Sequence, residues 1–573
     1  MERVAAESRE KAGTKVLPHA DGLYAVTLQC LGSFEGAGMN SGRASARISI
    51  MVANPVTVQT LPSLDPATGR ICAHFARTPV QLIPQLLLKA RQAQSAWANV
   101  PIEQRCARIG ILKKKIFEAT EALTDAVVRE SGKPRVEAKF ADVFVSLDTA
   151  EYFAKQGPRM LLPEKMPYHS TAAVMKSGAL FYEPLGVLGI ISSWNYPLAI
   201  PMSQIIPALA AGNAVLCKPS DFTPECGVLL EKLFYDADFP EGLVTLLQGS
   251  GDVGQALIDA RPDKIFFTGS VATGRHVAEA CARHLIPSVL ELGGKDAMVV
   301  LADADLDVAS SAAVWGSYSN CGQVCLSVER LFVDSSISEE FIRLCVQKTQ
   351  KLRLGPGSNP ENEVGPLIRP QHVQRMSELI ADAVQRGAKV LCGGRARPDL
   401  GPCFFEPTVL MGVNSSMLLF RDETFGPILA IQVVRDAEEA VRLANDTEFA
   451  LAASVWTRDT ARGKELARRL RAGTAMVNDL LSGFAIAEVP HGGAGLSGWG
   501  RTHGKAGLLE MVHVKYVDTD RLPGMEKPWW YCYGAELEKA TDAFLRFEFG
   551  GGFASRFRNA RAALKSFFRD HGF

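Results

Sequence analysis

Short apolar runs alternate with helical stretches and glycine-rich turns from residue 187 to residue 477. A first series of runs occupies residues 187–192, 214–218, 244–247, 264–268 and 288–291. A second series occupies residues 297–300, 330–333, 389–392, 428–434, 453–455 and 474–477. Buried strands alternating with helices are typical of parallel sheets, because a parallel crossover needs a covering helix. The sequence therefore predicts an α/β fold with two doubly wound α/β domains that meet near Gly293 and Gly294.

Other patterns flank this region. Residues 63–158 place apolar side chains at helical spacing, which predicts helices there. Residues 168–184 alternate polar and apolar side chains, which predicts a pair of strands. The apolar stretch 184–217 is longer than the roughly 20 residues that span a bilayer, but glycines, prolines and amides interrupt it. It predicts buried strands and a buried helix.

The charge balance narrows the class of protein. Of 573 residues, 62 are Lys or Arg and 62 are Asp or Glu, which argues against a nucleic-acid-binding protein. Hydrophobic residues make up 47% and charged residues 22%, proportions that favour a globular body over a disordered chain or a membrane bundle. The 12 cysteines are irregularly spaced, which indicates reduced thiols in the cytoplasm and leaves any one of them available for chemistry.

Three residues in the middle of the chain suit a covalent active site. Cys325 follows a glycine-containing turn and is a candidate nucleophile, although most cytoplasmic cysteines are inert packing residues. Glu291 ends an apolar strand, where burial would raise its pKa and suit it to general-base work; an ion pair with Lys295 is the alternative. Asn195 can donate to an oxyanion or stabilise its own turn.

Cofactor-like segments surround these residues, each after a predicted strand. Lys218-Pro219-Ser220-Asp221 offers an ammonium and a carboxylate to ribose hydroxyls. Gly249-Ser250-Gly251-Asp252-Val253-Gly254 has the spacing G-x-G-x-x-G, which is a weak signal alone. Phe267-Thr268-Gly269-Ser270 precedes a predicted helix, a setting suited to phosphate. The sequence contains no H-E-x-x-H and no paired C-x-x-C, so no metal site is predicted.

In chain order, these segments resemble the motifs of the NAD(P)-dependent aldehyde dehydrogenase superfamily, hydrolytic type. The matching segments are Ser193-Trp194-Asn195, Lys218-Pro219-Ser220, Phe267-Thr268-Gly269-Ser270, Leu290-Glu291-Leu292-Gly293-Gly294-Lys295, Gly322-Gln323-Val324-Cys325, Glu423-Thr424-Phe425-Gly426-Pro427, and Gly492-Gly493 with Ser497-Gly498. The resemblance spans residues 64–520. It implies a Rossmann-like cofactor domain, a catalytic domain and a small β oligomerisation arm.

The resemblance implies oxidation of an aldehyde to a carboxylic acid in two stages. Cys325 is implied to attack the aldehyde carbon, and the Asn195 amide and the Cys325 backbone N–H to stabilise the oxyanion. Hydride transfer to the nicotinamide would leave a thioester, which water activated by Glu291 would hydrolyse. The alternatives are a CoA-acylating relative and a non-catalytic binding protein on this fold. Glu291, which CoA-acylating relatives often lack, argues against the first alternative, and the presence of Cys325, Glu291 and Asn195 together argues against the second.

The same resemblance implies the cofactor-binding residues. The adenine ribose is assigned to Lys218, and the pyrophosphate to Gly269 and Ser270. The nicotinamide ribose is assigned to Glu423 and its ring to Phe425. The remaining cofactor candidates are Ser193, Trp194, Ser220, Asp221, Gly251, Gly254, Thr268 and Leu292. The carboxylate of Asp221 would repel a 2′-phosphate, which favours NAD and leaves NADP as the alternative.

Three positions depart from the common family pattern. Asp221 stands where many members have the longer Glu, so its reach toward the ribose is shorter. Gly495 stands where Lys is frequent, at the mouth of the substrate site. Cys321 lies four residues before Cys325 and is either a packing residue or a disulfide partner under oxidation.

The substrate tunnel implied by the resemblance is mostly apolar. Its residues are Ile200, Ser203, Val324 and Leu326. No Arg is placed there to bind a carboxylate tail. An apolar or aromatic aldehyde is therefore predicted over a semialdehyde.

The predicted organisation has five segments. Residues 1–58 are an extension, either disordered or the product of a mis-assigned start that belongs at Met39 or Met51. The others are a dinucleotide-binding domain (59–293) with an inserted arm (159–182), a catalytic domain (294–485), a return to the cofactor domain with an oligomerisation strand (486–520), and a tail (521–573). The family resemblance implies a homodimer or a homotetramer, in which the arm and the strand pair.

The tail combines aromatic and basic residues. Trp529, Trp530, Tyr531 and Tyr533 cluster there, and residues 535–547 and 555–570 each predict an amphipathic helix. Such a helix can lie on an anionic membrane surface. We favour the alternative, in which the tail packs on its own or a neighbouring subunit of a cytoplasmic enzyme.

Overall fold

The computed structural model describes residues 59–173, 175–524, 526–527, 529–531, 533–552 and 560. The predictions for residues 1–58 and, apart from residue 560, for a helix at 555–570 lie outside the described residues. The chain divides into two compact units. Of the described residues, those up to Gly157 and those in Leu185–Met511 form one unit, and those in Pro158–Pro184 and from Val512 onward form the other.

The strands are short, and most lie in two large sheets. In chain order they are β1 (Thr60–Leu64), β2 (Ile71–Ala76), β3 (Glu164–Lys165), β4 (Lys176–Pro184), β5 (Val187–Ile191), β6 (Ala214–Lys218), β7 (Val244–Leu246), β8 (Lys264–Thr268), β9 (Ser288–Glu291), β10 (Ala297–Val300), β11 (Arg330–Asp334), β12 (Lys389–Cys392), β13 (Thr408–Met411), β14 (Ile428–Val434), β15 (Phe449–Ala450), β16 (Ala452–Trp456), β17 (Thr474–Val477), β18 (Ala494–Gly495), β19 (Gly498–Trp499) and β20 (Val512–Asp520).

Helices connect most of these strands. They are α1 (Ile83–Ala98), α2 (Ile102–Glu118), α3 (Thr120–Ser131), α4 (Arg135–Glu137), α5 (Val145–Met160), α6 (Ala199–Ala211), α7 (Pro224–Asp236), α8 (Gly251–Asp259), α9 (Val271–Arg283), α10 (Leu306–Tyr318), α11 (Ser338–Gln350), α12 (Pro370–Gln385), α13 (Leu418–Arg421), α14 (Ala437–Ala444), α15 (Thr460–Arg469), α16 (Ser482–Ala485), α17 (Gly504–Leu509) and α18 (Ala535–Phe549). None of the helices in the described residues is long and apolar enough to cross a membrane.

The first large sheet has six strands in the order β19-β9-β8-β5-β6-β7. Strands β5 to β9 are parallel, and β19 pairs antiparallel with β9. The chain runs from β5 outward to β7 and then crosses to β8 on the other side of β5. Such a reversal leaves a crevice at the carboxyl ends of the two strands beside it. Here the crevice lies beyond β5 and β8, so the residues that follow these strands face it.

The second large sheet has seven strands in the order β12-β13-β14-β11-β10-β16-β17. It is parallel except for β12, which pairs antiparallel with β13. Its central strands β10 and β11 are buried almost throughout, because helices cover both faces. Two doubly wound parallel sheets confirm the predicted α/β fold class.

The smaller unit is built on a three-stranded sheet in the order β20-β4-β3. Strands β4 and β20 pair antiparallel along their whole length, from Lys176 opposite Asp520 to Pro184 opposite Val512. Cross-strand ion pairs of Lys176 with Asp518 and of Lys515 with Glu183 reinforce the register. Strand β20 is an edge strand with exposed apolar side chains. The predicted helix at residues 535–547 is confirmed, because α18 covers Ala535–Phe549.

Three details of secondary structure differ from the predictions. Residues 63–158 are not wholly helical, because the hairpin of β1 and β2 precedes α1. Both strands are half-exposed, so they lack the apolar pattern of a buried strand. Within residues 168–184, the described residues form one strand, β4 (Lys176–Pro184), that pairs with β3 and β20, rather than a pair of strands. Strand β13 was not predicted, since its four residues follow a region rich in glycine and proline.

Candidate active site

A left-handed turn presents Cys325 at the end of α10. Asn320, Cys321 and Gly322 have φ angles of 49°, 56° and 71°. A Cβ on Gly322 would lie 2.1 Å from the Gly426 carbonyl oxygen, so only glycine fits. The Gln323 side chain stabilises the turn by donating to the Asn320 carbonyl at 2.9 Å and accepting from the Ile368 N–H at 2.9 Å. The strained backbone is thus held by its surroundings, as is common at functional sites.

The Cys325 thiol is half-buried and in its neutral form. Burial raises its pKa well above the usual range, and the carboxyl groups of Asp296, Glu423 and Glu291 raise it further. A nearby base is therefore needed before this thiol can act as a nucleophile. Cys321 is a fully buried free thiol, a state that agrees with the packing alternative for this residue.

The Asn195 side chain faces the cysteine turn. Its Nδ2 donates to the Gln323 carbonyl at 3.1 Å, and its Oδ1 accepts from the Ser193 hydroxyl at 2.7 Å. Its backbone carbonyl accepts from Lys133 Nζ at 2.7 Å and from Asn320 Nδ2 at 3.1 Å. Asn195 therefore both stabilises its own turn, through Ser193, and reaches the turn that presents Cys325.

A buried ion pair under this turn was missed in the sequence. Lys133 Nζ lies 2.8 Å from Asp142 Oδ2, and both side chains are inaccessible to solvent. Asp142 Oδ1 also accepts from the N–H groups of Leu198 and Ala199 just before and at the start of α6. Lys133 sits in a helical region rich in surface lysines, so the sequence offers no signal that separates it from them.

Glu291 ends β9 with its carboxyl group buried. The residue is 5% exposed, and neither of its carboxylate oxygens has a hydrogen-bond partner among the described residues. Burial raises its pKa well above the usual value, while Arg501 acts in the opposite direction. Lys295 does not pair with Glu291; its ammonium contacts Glu329 Oε2 at 2.5 Å instead. The ion-pair alternative for Glu291 and Lys295 is therefore wrong.

The predicted cofactor residues gather at the carboxyl ends of β5, β6 and β8. Ser193 and Trp194 follow β5, Lys218 ends β6, and Gly269 and Ser270 follow β8. Lys218 is buried, and burial lowers its pKa while Asp221 opposes that shift. The other candidates near these strand ends are Ser220, Asp221, Gly251, Gly254 and Thr268.

Two helices begin beside these strand ends. Ser270 is the N-cap of α9, and its hydroxyl accepts from the Thr273 N–H at 3.3 Å. Gly251 opens α8, and a Cβ on it would meet nothing within 4 Å. A Cβ on Gly254 would lie 3.7 Å from Ile191 at the end of β5. Open space beside helix N-termini and an ammonium fits a dinucleotide pyrophosphate and ribose.

Two of the candidate cofactor residues, Leu292 and Thr268, contact protein groups beside the crevice. Leu292 packs on Gly274 of α9, where a Cβ would come within 2.5 Å of it. The Thr268 hydroxyl accepts from Gln204 Nε2 at 3.1 Å. The contacts of Leu292 and Thr268 are with other protein groups. Their predicted role in binding the cofactor stays a prediction.

A loop from the second sheet closes the other side of the crevice. Trp194 makes an edge contact with Phe425, with ring centroids 5.6 Å apart. Glu423 accepts from the Gly294 N–H at 3.2 Å, and burial raises its pKa to about 8. A Cβ on Gly293 would lie 2.3 Å from Glu423 Oε2, which explains the glycine at that position. The loop thus brings Glu423 and Phe425 opposite the strand ends.

Glu329 anchors this loop and was missed in the sequence. Its carboxylate accepts from the N–H groups of Thr424 and Phe425 and from the Lys295 ammonium. The one available signal is a carboxylate directly before the buried strand β11, where an unpaired charge would be costly.

An apolar cluster lies beside Cys325. Val324 and Leu326 pack there with Leu451 and Ala452, surrounded by the half-buried residues Tyr196, Met476, Leu481 and Phe484. Two other predicted tunnel residues, Ile200 and Ser203, are buried within α6, where the Ser203 hydroxyl bonds the Ile200 carbonyl. The aromatic members of the cluster come from distant segments and were missed for that reason.

Comparison with known proteins identifies relatives over most of the chain. A family model described as "Aldehyde dehydrogenase family" matches residues 53–517. The "4,4'-diapolycopene aldehyde oxidase" of Methylomonas sp is 37% identical over 509 residues, 89% of this chain and 95% of that protein. A "Putative succinate-semialdehyde dehydrogenase (NADP(+)) 2" of Mycobacterium tuberculosis is 40% identical over 445 residues, 77% of this chain and 85% of that protein. The crystal structure of betaine aldehyde dehydrogenase from Staphylococcus aureus with NAD+ matches with a TM-score of 0.78 and 30% identity, over 83% of this chain and 94% of that one.

Proposed function

Because the chain belongs to the aldehyde dehydrogenase family and is an NAD(P)-dependent oxidoreductase, we propose that it oxidises an apolar aldehyde through a thioester on Cys325. One observation carries the mechanism. The Cys325 thiol lies within electrostatic reach of Glu291, a buried carboxyl group without a hydrogen-bond partner among the described residues. The Cys325 thiol, which needs a base, therefore lies near Glu291, whose carboxyl group is available to act as one.

The first stage makes the covalent bond. Glu291 takes the thiol proton, and the Cys325 thiolate attacks the aldehyde carbon. The charge that develops on the aldehyde oxygen is stabilised by the Cys325 backbone N–H and the Asn195 amide, whose orientation Ser193 fixes. Removal of one such donor typically costs about 10²–10³-fold in kcat.

When bound, NAD or NADP would supply the acceptor for the hydride that leaves the tetrahedral carbon. The chain's own residues bind and orient it: Lys218 and Ser270 at the strand ends, Glu423 and Phe425 on the facing loop. NAD is the proposed cofactor because Asp221 would repel a 2′-phosphate. NADP is the second candidate, since a relative carries NADP(+) in its name and Arg369 lies within electrostatic reach of Asp221.

The second stage releases the acid. Glu291, once it has lost the proton gained from the thiol, removes a proton from water as the water oxygen bonds to the thioester carbon. The tetrahedral adduct then collapses, the Cys325 thiolate leaves, and the carboxylic acid is released. The presence of Glu291 favours water over CoA as the acceptor. Equal NADH production at 340 nm with and without CoA is expected, and a strict need for CoA would contradict hydrolysis.

The substrate class follows from the apolar cluster beside Cys325. Tyr196, Met476, Leu481 and Phe484 surround it, which favours an apolar or aromatic aldehyde. The name of the Methylomonas relative points the same way, and that of the mycobacterial relative points to a semialdehyde. We expect kcat/KM to be higher for hexanal and benzaldehyde than for succinic semialdehyde, with NAD and with NADP. Succinic semialdehyde as the best substrate would refute this assignment.

We also propose a homodimer or a homotetramer. Two edge strands among the described residues support it: β17 in the seven-stranded sheet and β20 in the three-stranded sheet, where Val514, Tyr516 and Val517 are exposed. The unpaired N–H and C=O groups of an exposed apolar edge strand offer a template for pairing with another chain. Light scattering after size-exclusion chromatography should give a mass of two or four chains, and a monomer at micromolar concentration would contradict the proposal.

We also propose the domain division at residues 59–293, 294–485 and 486–520 and a cytoplasmic location.

The tail has exposed aromatic side chains, which fit both packing on a protein subunit and contact with a membrane surface. These residues are Trp529, Trp530, Tyr531 and Tyr533. Full-length protein and a chain ending at Asp520 should pellet equally with anionic vesicles if the tail packs on protein. Greater pelleting of the full-length protein would favour peripheral membrane contact.

A further inference from the structure

A buried histidine faces Glu291 from the segment that follows α16. His491 Nε2 lies 3.6 Å from Glu291 Oε2, and His491 is 3% exposed. The separation is slightly longer than a hydrogen bond, so a small rotation of the Glu291 side chain closes it. Among the described residues, His491 Nδ1 has no hydrogen-bond partner either. No bond at Nδ1 fixes the tautomer, so the imidazole proton can lie on Nε2, the nitrogen that faces the carboxylate.

The backbone fixes His491 in this position. His491 and Thr502 exchange two backbone hydrogen bonds, of 2.9 and 2.8 Å, as an isolated antiparallel bridge. Gly492 lies against the carboxyl group, because a Cβ there would come within 2.9 Å of Glu291 Oε1. The Phe484 ring contacts the edge of His491, with centroids 5.2 Å apart. The imidazole thus has little freedom to turn away from Glu291.

A second buried histidine, His503, lies behind the first. The centroids of the two imidazoles are 5.8 Å apart, and His503 Nδ1 bonds the Thr502 hydroxyl at 3.0 Å. His503 is 1% exposed and has a φ of 62°, an uncommon conformation for a residue with a side chain. The ring is held there by Phe484, whose centroid lies 4.8 Å away.

Both imidazoles are neutral at pH 7. Burial lowers the pKa of His491 to about 4, with a further contribution from Arg501. Burial lowers the pKa of His503 to about 3, with a further contribution from His491. The titratable and charged groups that face His491 are thus Glu291 from β9 and Arg501 and His503 from the segment after β19. A neutral imidazole carries one N–H, which can donate to an ionised carboxylate.

We propose that His491 is a positioning residue for the general base: its Nε2–H donates to the ionised Glu291 carboxylate and holds it toward the thioester. His503 packs behind it and keeps the imidazole in place. His491 keeps its own proton throughout, while Glu291 takes the proton of the attacking water. The inference rests on the proposed role of Glu291. A donor to the charged form favours that form, so His491 helps a deeply buried carboxyl group to ionise at neutral pH.

The test compares two variants of similar volume. His491→Leu removes the donor, and His491→Gln keeps an N–H donor. In His491→Leu the acid limb of the kcat–pH profile should move up by about one pH unit, with roughly tenfold lower kcat on that limb. Intact-mass analysis of enzyme quenched during turnover with hexanal and NAD should show more acyl-enzyme on Cys325. His491→Gln should restore both readouts toward wild type.

The controls separate this inference from a packing effect and from the proposed function. His284→Gln is matched, because His284 Nε2 also lies 3.6 Å from a carboxylate, that of Asp259, and it should leave both readouts unchanged. If His491→Leu does not fold, His491→Phe takes its place and keeps an aromatic ring beside Phe484. An unshifted acid limb without acyl-enzyme accumulation, or an equal loss in the Leu and Gln variants, would overturn the inference. Glu291→Gln should lose turnover, because it removes the base of both stages; if it turns over at the wild-type rate, the proposed function fails instead.

Discussion

The ion pair of Glu329 and Lys295 should be essential to the loop that presents Glu423 and Phe425. In Glu329→Gln the side chain loses the charge that faces Lys295 Nζ at 2.5 Å, while Lys295 stays 1% exposed. An unpaired buried ammonium costs about 3–5 kcal/mol. The uncharged amide oxygen of the new Gln is also a weaker acceptor than the Glu329 carboxylate for the N–H groups of Thr424 and Phe425. We expect the melting temperature to fall by about 3–5 °C, because a unit of this size loses about 1 °C per kcal/mol.

Loss of the Glu329 charge should also weaken the binding of the cofactor. Initial rates of NADH formation at 340 nm should give a KM for NAD at least about tenfold higher, because the loop loses two charge-assisted hydrogen bonds of about 1.5–3 kcal/mol each. Glu340→Gln is the control, since it breaks an exposed ion pair with Arg343 that is worth at most about 1 kcal/mol.

A double variant separates stability from loop anchoring. Lys295→Met with Glu329→Met removes both charges, so it should recover most of the melting temperature. It leaves the N–H groups of Thr424 and Phe425 without their acceptor, so the KM for NAD should stay high. The reasoning is refuted if Glu329→Gln melts like wild type with an unchanged KM, or if the double variant recovers the KM in full.

Three further predictions concern the reacting groups and the cofactor. Cys325→Ser should abolish NADH production, because a hydroxyl is a far poorer nucleophile; full activity in this variant would overturn the covalent mechanism. The burial that raises the pKa of Glu291 should make kcat fall as the pH is lowered, because the base must be ionised; a flat profile from pH 6 to 9 would contradict its role. Asp221→Ser should raise the ratio of kcat/KM for NADP to kcat/KM for NAD by about tenfold or more, because the carboxylate that repels the 2′-phosphate is gone. An unchanged ratio would show that Asp221 does not select the cofactor.

Much of the fold was predictable because parallel strands buried on both faces are nearly continuous apolar runs. Strands β5, β6, β8 and β9 therefore appear in the sequence almost to the residue. The hairpin of β1 and β2 and the strand β13 were missed, because a half-exposed or four-residue strand leaves little pattern. The pairing of β4 with β20 was expected only from the family resemblance, since more than 300 residues separate the two strands.

The residues of the candidate site also fall into those that the sequence reveals and those that only the structure brings together. Cys325, Glu291 and Asn195 could be singled out from the sequence, because each is a reactive or polar group at the end of an apolar run or a glycine turn. Their motifs also determined the family. What the tertiary structure decided is which groups are neighbours: Lys295 pairs with Glu329 rather than Glu291, and His491 faces Glu291 in its place. The physical reason is that burial and contact depend on how distant segments meet, while the order of residues along a chain determines only which groups are adjacent within one segment.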